Sequence, residues 1–132
     1  MGGGHDWAAL NAATRSRDVR AILASGASPE VVRAQDNLFL RRAAAEGHGD
    51  VVAALATLGL TGDDARARDN EALFMAVYGG HVGVIYLLRD LFGLTAADAS
   101  SPRIRAWHPR AAAALRGAFG VETPPPAREV GG

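Results

Sequence analysis

His48 and His81 are the side chains best suited by type to acid–base chemistry or metal binding. They stand in matching surroundings, Gly47-His48 and Gly80-His81. Two imidazoles act on one metal ion or one proton only if their rings converge. Asp63-Asp64 offers two carboxylates, the groups of a general acid and base. His5, Asp6 and Ser16 are the residue types of a nucleophilic triad, at no recognisable spacing. The arginines gather loosely as Arg15, Arg17 and Arg20, as Arg41-Arg42, as Arg66 and Arg68, and as Arg103, Arg105 and Arg110. Gathered on one face, such groups would suit phosphate. Which of these chemistries is open depends on the elements that carry the residues.

Composition closes several routes. The 132 residues suit one domain. Cysteine is absent, which excludes disulfides, thiolate catalysis and Cys-ligated zinc. All 14 basic residues are arginine, so a Schiff-base lysine and a lysine-dependent phosphate loop are excluded too. Fourteen acidic residues balance them, and no large field for nucleic acid or membrane is expected. No apolar run reaches the roughly 18–20 residues of a membrane helix, and the start lacks the basic and apolar regions of a secretory signal. The expectation is a soluble, cytoplasmic or otherwise intracellular chain. The 28 alanines and 16 glycines, with arginine to the exclusion of lysine, point to a GC-rich genome rather than to a binding surface.

The elements are set by an internal repeat. Shifted by 33 residues, the chain matches itself: Asp36-Asn37 falls on Asp69-Asn70, Leu40 on Leu73, Ala43 on Ala76, Gly47-His48 on Gly80-His81, Val51-Val52 on Val84-Ile85, and Leu55 on Leu88. Upstream the match is fainter, with Val19, Ile22 and Gly26 on Val52, Leu55 and Gly59 in a copy two residues short. Downstream the shift is 34, with Leu60-Thr61 on Leu94-Thr95 and Asp64-Ala65 on Asp98-Ala99.

Within a unit the pattern is helical. Leu73, Ala76 and Val77 share one face of a short helix that Gly79-Gly80 ends. Val84, Ile85, Leu87, Leu88 and Leu91 make the wide apolar face of a second. Such a pair cannot bury its own face, so neighbouring pairs must stack on it. The connectors start with Gly26, Gly59 and Gly93, followed two residues later by the N-cap candidates Ser28, Thr61 and Thr95. Pro29 follows at N1, and Asp64 and Asp98 sit three residues after their caps as in a capping box. Each connector is predicted to be a one-turn helix, with Asn37 and Asn70 capping the helices that follow. No strand is predicted.

The motif Ala43-Ala44-Ala45-Glu46-Gly47-His48, its copy Ala76-Val77-Tyr78-Gly79-Gly80-His81, and the Val-Val and Leu that follow at a 33-residue period resemble the ankyrin repeat. The resemblance covers about residues 8–99. It departs from the common pattern in two ways. Leu38-Phe39-Leu40-Arg41 and Glu71-Ala72-Leu73-Phe74 replace the usual Thr-Pro-Leu-His, and the capped connectors replace the β-hairpin fingers. The stretch Gly59-Leu60-Thr61-Gly62-Asp63-Asp64-Ala65-Arg66-Ala67 is similar to the ankyrin-type repeats of large DNA viruses and some protists, and a viral origin would place the chain in a host cytoplasm. The resemblance implies an all-α, ankyrin-like solenoid of about four helix-turn-helix units. It also implies a non-catalytic, monomeric module that binds an unidentified protein partner on its concave face, without cofactor, metal, membrane or nucleic acid. Carried over by position, that face includes Gln35, Asn37, Ala45 and Glu46, then Arg68, Asn70, Tyr78 and Gly79. Tyr78 would be the anchor, because an aromatic supplies contact area at low entropic cost.

The chemical candidates shrink accordingly. His48 and His81 take equivalent places on neighbouring units, and packed helices stand roughly 8–10 Å apart, so the rings are expected to be structural. Asp63-Asp64 reads as acids at a helix N-terminus, and the arginines as a salt-bridged surface. Nucleic-acid binding through them, or a repeat remnant with no defined partner, stand as alternatives. Trp7 and Trp107 are expected to cover the terminal units. A short helix from Pro102 and a second from Pro109 are expected to form a C-terminal cap. The boundaries are a loose start over 1–6 and a repeat domain over 7–120, divided at about 7–33, 34–66, 67–100 and 101–120. A flexible Pro-rich tail over 121–132 completes the chain.

Overall fold

The computed structural model of the chain describes residues 3–106 and 108–122, with side chains from Trp7 onward. Its helices are α1 (Gly3–Arg15), α2 (Val19–Ala24), α3 (Pro29–Val32), α4 (Ala34–Glu46), α5 (Gly49–Thr57), α6 (Gly62–Tyr78), α7 (Val82–Phe92), α8 (Ala96–Ala99) and α9 (Pro109–Phe119). Among the described residues there is no strand, so the all-α expectation holds. Helix α1 takes in residues 3–6, which the sequence suggests as a loose start. The Pro-rich segment from residue 123 and Trp107 lie outside the described residues.

Three pairs, α1/α2, α4/α5 and α6/α7, pack in order. In one row α2, α5, α7 and α9 each touch the next, and in the other α1 touches α4 and α4 touches α6. The rows close on one core in which Leu10, Ile22, Leu40, Leu55, Leu73, Ile85, Leu88 and Leu115 are fully buried. The apolar pairs Leu40 and Leu73, Ala43 and Ala76, Val51 and Val84, Val52 and Ile85, and Leu55 and Leu88, which match across the 33-residue shift, are all buried in this core. Trp7 is half-buried, its ring 5.7 Å from that of Phe39.

The turn inside each pair is one device used repeatedly. Asp18, His48, His81 and His108 are the N-cap residues of α2, α5, α7 and α9. The backbone N–H groups of Asp18, His48 and His81 donate to Ala13, Ala43 and Ala76 at 2.9, 2.9 and 2.8 Å. The residue before each of these three is left-handed: Arg17, Gly47 and Gly80, at φ 57°, 74° and 72°. Arg17 adopts this conformation without being glycine, and its Nε donates to both carboxylate oxygens of Asp50 in the next unit at 3.0 and 3.2 Å. The first unit is short because α2 has six residues where α5 has nine and α7 eleven.

The connectors form one-turn helices as expected. Ser28 caps α3, accepting from the Val31 N–H, and Pro29 stands at N1. In the next two connectors a capping box forms: Asp64 accepts from the Thr61 N–H at 2.8 Å, and Asp98 from the Thr95 N–H at 2.8 Å.

Two expectations are corrected. The fourth unit is not a helix pair: residues 101–106 form a turn and then a run without regular secondary structure before α9. Ile104 and Ala106 are buried with exposed Arg105 between them, the period of two that an extended chain gives. His108, before Pro109, is held extended at φ −126°, ψ 142°, as a residue preceding proline must be. Nor do Asn37 and Asn70 act as N-caps. Residues 35–37 and 68–70 are three-residue left-handed turns, with φ between 56° and 61°, inside α4 and α6. Each asparagine instead sends its Nδ2 into the following connector, to Asp64 at 3.2 Å and to Asp98 at 3.4 Å. Asparagine tolerates this backbone region better than most residues, and its amide anchors the turn.

Candidate functional site

The two left-handed turns lie side by side on the α4 and α6 row, and they position the polar side chains of one surface. Arg68 bridges them, with Nη1 3.6 Å from the Asp36 carboxylate and Nε donating to Glu71 at 3.1 Å. A left-handed turn points carbonyls away from the helical ladder, and those carbonyls need donors. In the second unit Arg41 supplies them: its Nε donates to the Asp36 carbonyl at 2.9 Å and its Nη2 to the Gln35 carbonyl at 3.0 Å. Its Nη1 reaches Glu71 at 3.4 Å.

One period later, position 74 is a phenylalanine, and the donor comes from elsewhere. Arg103, in the turn after α8, sends Nη1 to the carbonyls of Arg68 at 3.0 Å and Asp69 at 3.4 Å. Its guanidinium carbon sits 4.4 Å from the Phe74 ring centroid, within the range of a cation–π contact. Nη2 is 3.9 Å from Glu71. Glu71 thus lies among Arg41, Arg68 and Arg103. Partial burial pushes its carboxyl up, but the Arg68 hydrogen bond and the charges of Arg68 and Arg41 outweigh that and hold it below the usual range. Phe74 in turn stacks on Tyr78, centroids 6.0 Å apart.

No protein-family model, curated protein or solved structure matches the chain.

The residues carried over by position divide by exposure. Tyr78 is 54% exposed, and Gln35, Glu46 and Arg68 are on the surface. Asn37 is not: it is 5% exposed and bonded to Asp64, so it belongs to the frame. Asn70 is half-buried on Asp98 in the same way. The surface instead includes Asp36, Asp69, Glu71, Phe74 and Arg103. One signal for them was present in the repeat itself, since a shift of 33 sets Phe74 against Arg41, one of several positions where the match breaks. Nothing in the spacing foretold Arg103.

The histidines serve the packing. His81 Nε2 lies 3.0 Å from the Ala45 carbonyl of the preceding unit, which fixes the Nε2–H tautomer. Its ring fills the space over Gly47, where a Cβ would stand 2.5 Å from Nδ1. His108 covers Gly80 similarly, at 3.0 Å from such a Cβ. His48 Nδ1 faces Glu46 at 3.3 Å. Among the described residues no group of three His, Asp or Glu could hold a metal ion, and no helix is long and apolar enough to cross a membrane.

The arginines are largely paired. Arg17, Arg33, Arg41, Arg66, Arg68, Arg89, Arg103 and Arg116 each have a carboxylate oxygen within 4.0 Å. A guanidinium so held has less charge to offer a phosphate backbone.

Proposed function

We propose that the chain is a non-catalytic, ankyrin-like module that acts as an intracellular monomer and binds another protein through the surface of the two left-handed turns. One observation carries this reading: the apolar and polar frame repeats, while around the turns the surface, Asp36 and Asp69 apart, does not. Leu40 and Leu73, Ala43 and Ala76, Val51 and Val84, and Leu55 and Leu88 are matched pairs in the core. Arg33 and Arg66, Asn37 and Asn70, and Thr61 and Thr95 match in the polar frame. Around the turns Gln35 is set against Arg68, half-buried Arg41 against half-buried Phe74, half-buried Ala45 against exposed Tyr78, and Glu46 against Gly79. A stack of repeats keeps what holds it together and varies what its partner meets. Tyr78, exposed and backed by Phe74, is the anchor of that surface.

The test is affinity capture from the native host with the wild-type chain, Tyr78→Ala and Leu23→Ala, the last changing an exposed leucine on α2. A saturable protein partner retained by wild type and Leu23→Ala but lost with Tyr78→Ala is the expected result. A partner held equally by all three would remove this surface from the interaction. Salt-sensitive nucleic acid in the eluate would favour the arginines as a phosphate-binding face instead.

A further inference from the structure

We infer that the third unit carries a receptor for an arginine side chain, made of the Phe74 ring, the carbonyls of Arg68 and Asp69 and the Glu71 carboxylate, with Arg103 as its exchangeable occupant. The second unit shows what the frame requires. There the two carbonyls of the left-handed turn are capped by an arginine of the same helix, Arg41, five and six residues on. The third unit keeps the turn and the carbonyls but has Phe74 at that position. It therefore has an acceptor set without a local donor, and an aromatic face where the local arginine would have stood. The guanidinium that fills it comes from 34 and 35 residues away.

The chemistry of the walls selects guanidinium over ammonium. A flat cation lies on the ring while its in-plane N–H groups reach carbonyl and carboxylate oxygens. An ammonium can make the charge contact but cannot stack and fork at once. Arg103 is held by the carbonyls and the ring rather than by close ion pairs. Its ion-pair distances to Glu71 and Asp69 are 3.9 and 4.0 Å, its side chain is 31% exposed, and the segment bearing it is not helical. Phe74 also stacks on exposed Tyr78, so an arginine on another polypeptide that reached Tyr78 would be beside the receptor. The receptor does not depend on the docking surface proposed above, since its present occupant is the chain's own residue.

The test uses the full chain, isotope-labelled for NMR, as wild type and Arg103→Ala. Each is titrated with N-acetyl-arginine amide and with N-acetyl-lysine amide, and the backbone signals of residues 68–74 are followed. The expected result is a saturable response in Arg103→Ala at a concentration at least tenfold lower than in wild type, with the lysine compound giving none. Adding Phe74→Arg to Arg103→Ala rebuilds the arrangement of the second unit and should abolish the response. If Arg103→Ala is partly unfolded, the arginine compound should restore its helical circular dichroism and the lysine compound should not. Equal responses of wild type and Arg103→Ala, equal effects of the two compounds, or no restoration of an unfolded variant would overturn the proposal.

Discussion

Arg33 and Asp64 lock one connector to the next: Arg33 Nε donates to Oδ1 at 2.9 Å and Nη2 to Oδ2 at 3.2 Å. The same carboxylate caps its own helix through the Thr61 N–H and accepts from Asn37, so three segments meet on one side chain. Arg66 and Asp98 repeat the contact at 2.9 Å, with Thr95 and Asn70 in the matching roles. The polar residues that recur at a period of 33 or 34 are therefore parts of one junction. A junction of this kind fixes the spacing of units that apolar packing alone would leave free to slide.

The junction makes stability depend on acid. Burial pushes the Asp64 carboxyl up, but hydrogen bonds from Arg33, Thr61 and Asn37 and the Arg33 charge bring it down to about 2. Asp98 is lowered for the same reasons, its burial being outweighed chiefly by Arg66. A carboxyl depressed on folding stabilises the fold above its unfolded pKa near 4, and that contribution is lost as pH falls toward 2. For Asp64 it amounts to about 1–2 kcal/mol, allowing for the partly exposed guanidinium. Thermal melts of wild type should drop between pH 4 and 2, and those of Asp64→Asn should start lower and fall less. Parallel curves for the two would refute the assignment.

Gly47 is under two constraints at once. Its φ of 74° disfavours any side chain, and a Cβ there would stand 2.5 Å from His81 Nδ1. Gly26, at φ 73°, has nothing within 4 Å of the corresponding position. Gly26→Ala should cost only backbone strain, about 1 kcal/mol. Gly47→Ala should cost about 2–4 kcal/mol, because the ring must also leave its seat against the preceding unit. Denaturant unfolding of the two variants measures the difference directly, and equal losses would show that the His81 seat is unimportant.

Gln35 carries left-handed strain with little return. It is exposed at φ 57°, and its contribution to the turn is its carbonyl, which Arg41 holds. Gln35→Gly keeps that carbonyl and removes the strain, so it should raise stability by about 0.5–1 kcal/mol after glycine's own entropy cost. Asn37→Gly, at φ 61°, relieves the same strain but gives up the bond to Asp64, and should be destabilising. Opposite signs in paired melts are the expected outcome; two gains would mean that the asparagine contributes nothing to the junction.

Much of the scaffold was legible because it is local and repeated. The one-turn connectors follow from a cap residue and an acid three positions later, which satisfy helix N-termini within one turn of chain. The 3.6 periodicity gave the helix pairs, and the matched apolar positions gave the core. The readings that failed are those in which a local rule competed with a distant partner. Asn37 and Asn70 stand where caps would stand, yet their amides are drawn to Asp64 and Asp98 in the next connector. Pro102 can open a helix, yet the segment after it is a turn and a non-helical run that buries Ile104 and Ala106.

The sequence by itself determined the helix pairs, their order, the turn chemistry of Gly47-His48 and Gly80-His81, and the equivalence of Asp64 with Asp98. All of these rest on interactions within a few residues or on exact recurrence. Only the tertiary structure decided that residues 35–37 and 68–70 turn left-handed, because that conformation is unfavourable locally and is anchored to other segments, Asn37 to Asp64, Asn70 to Asp98 and the 68–69 carbonyls to Arg103. The same holds for the meeting of Arg103 with Phe74. Their spacing of 29 residues matches no period of the repeat, and what joins them is a pair of unfilled carbonyls that exists only once the units have stacked.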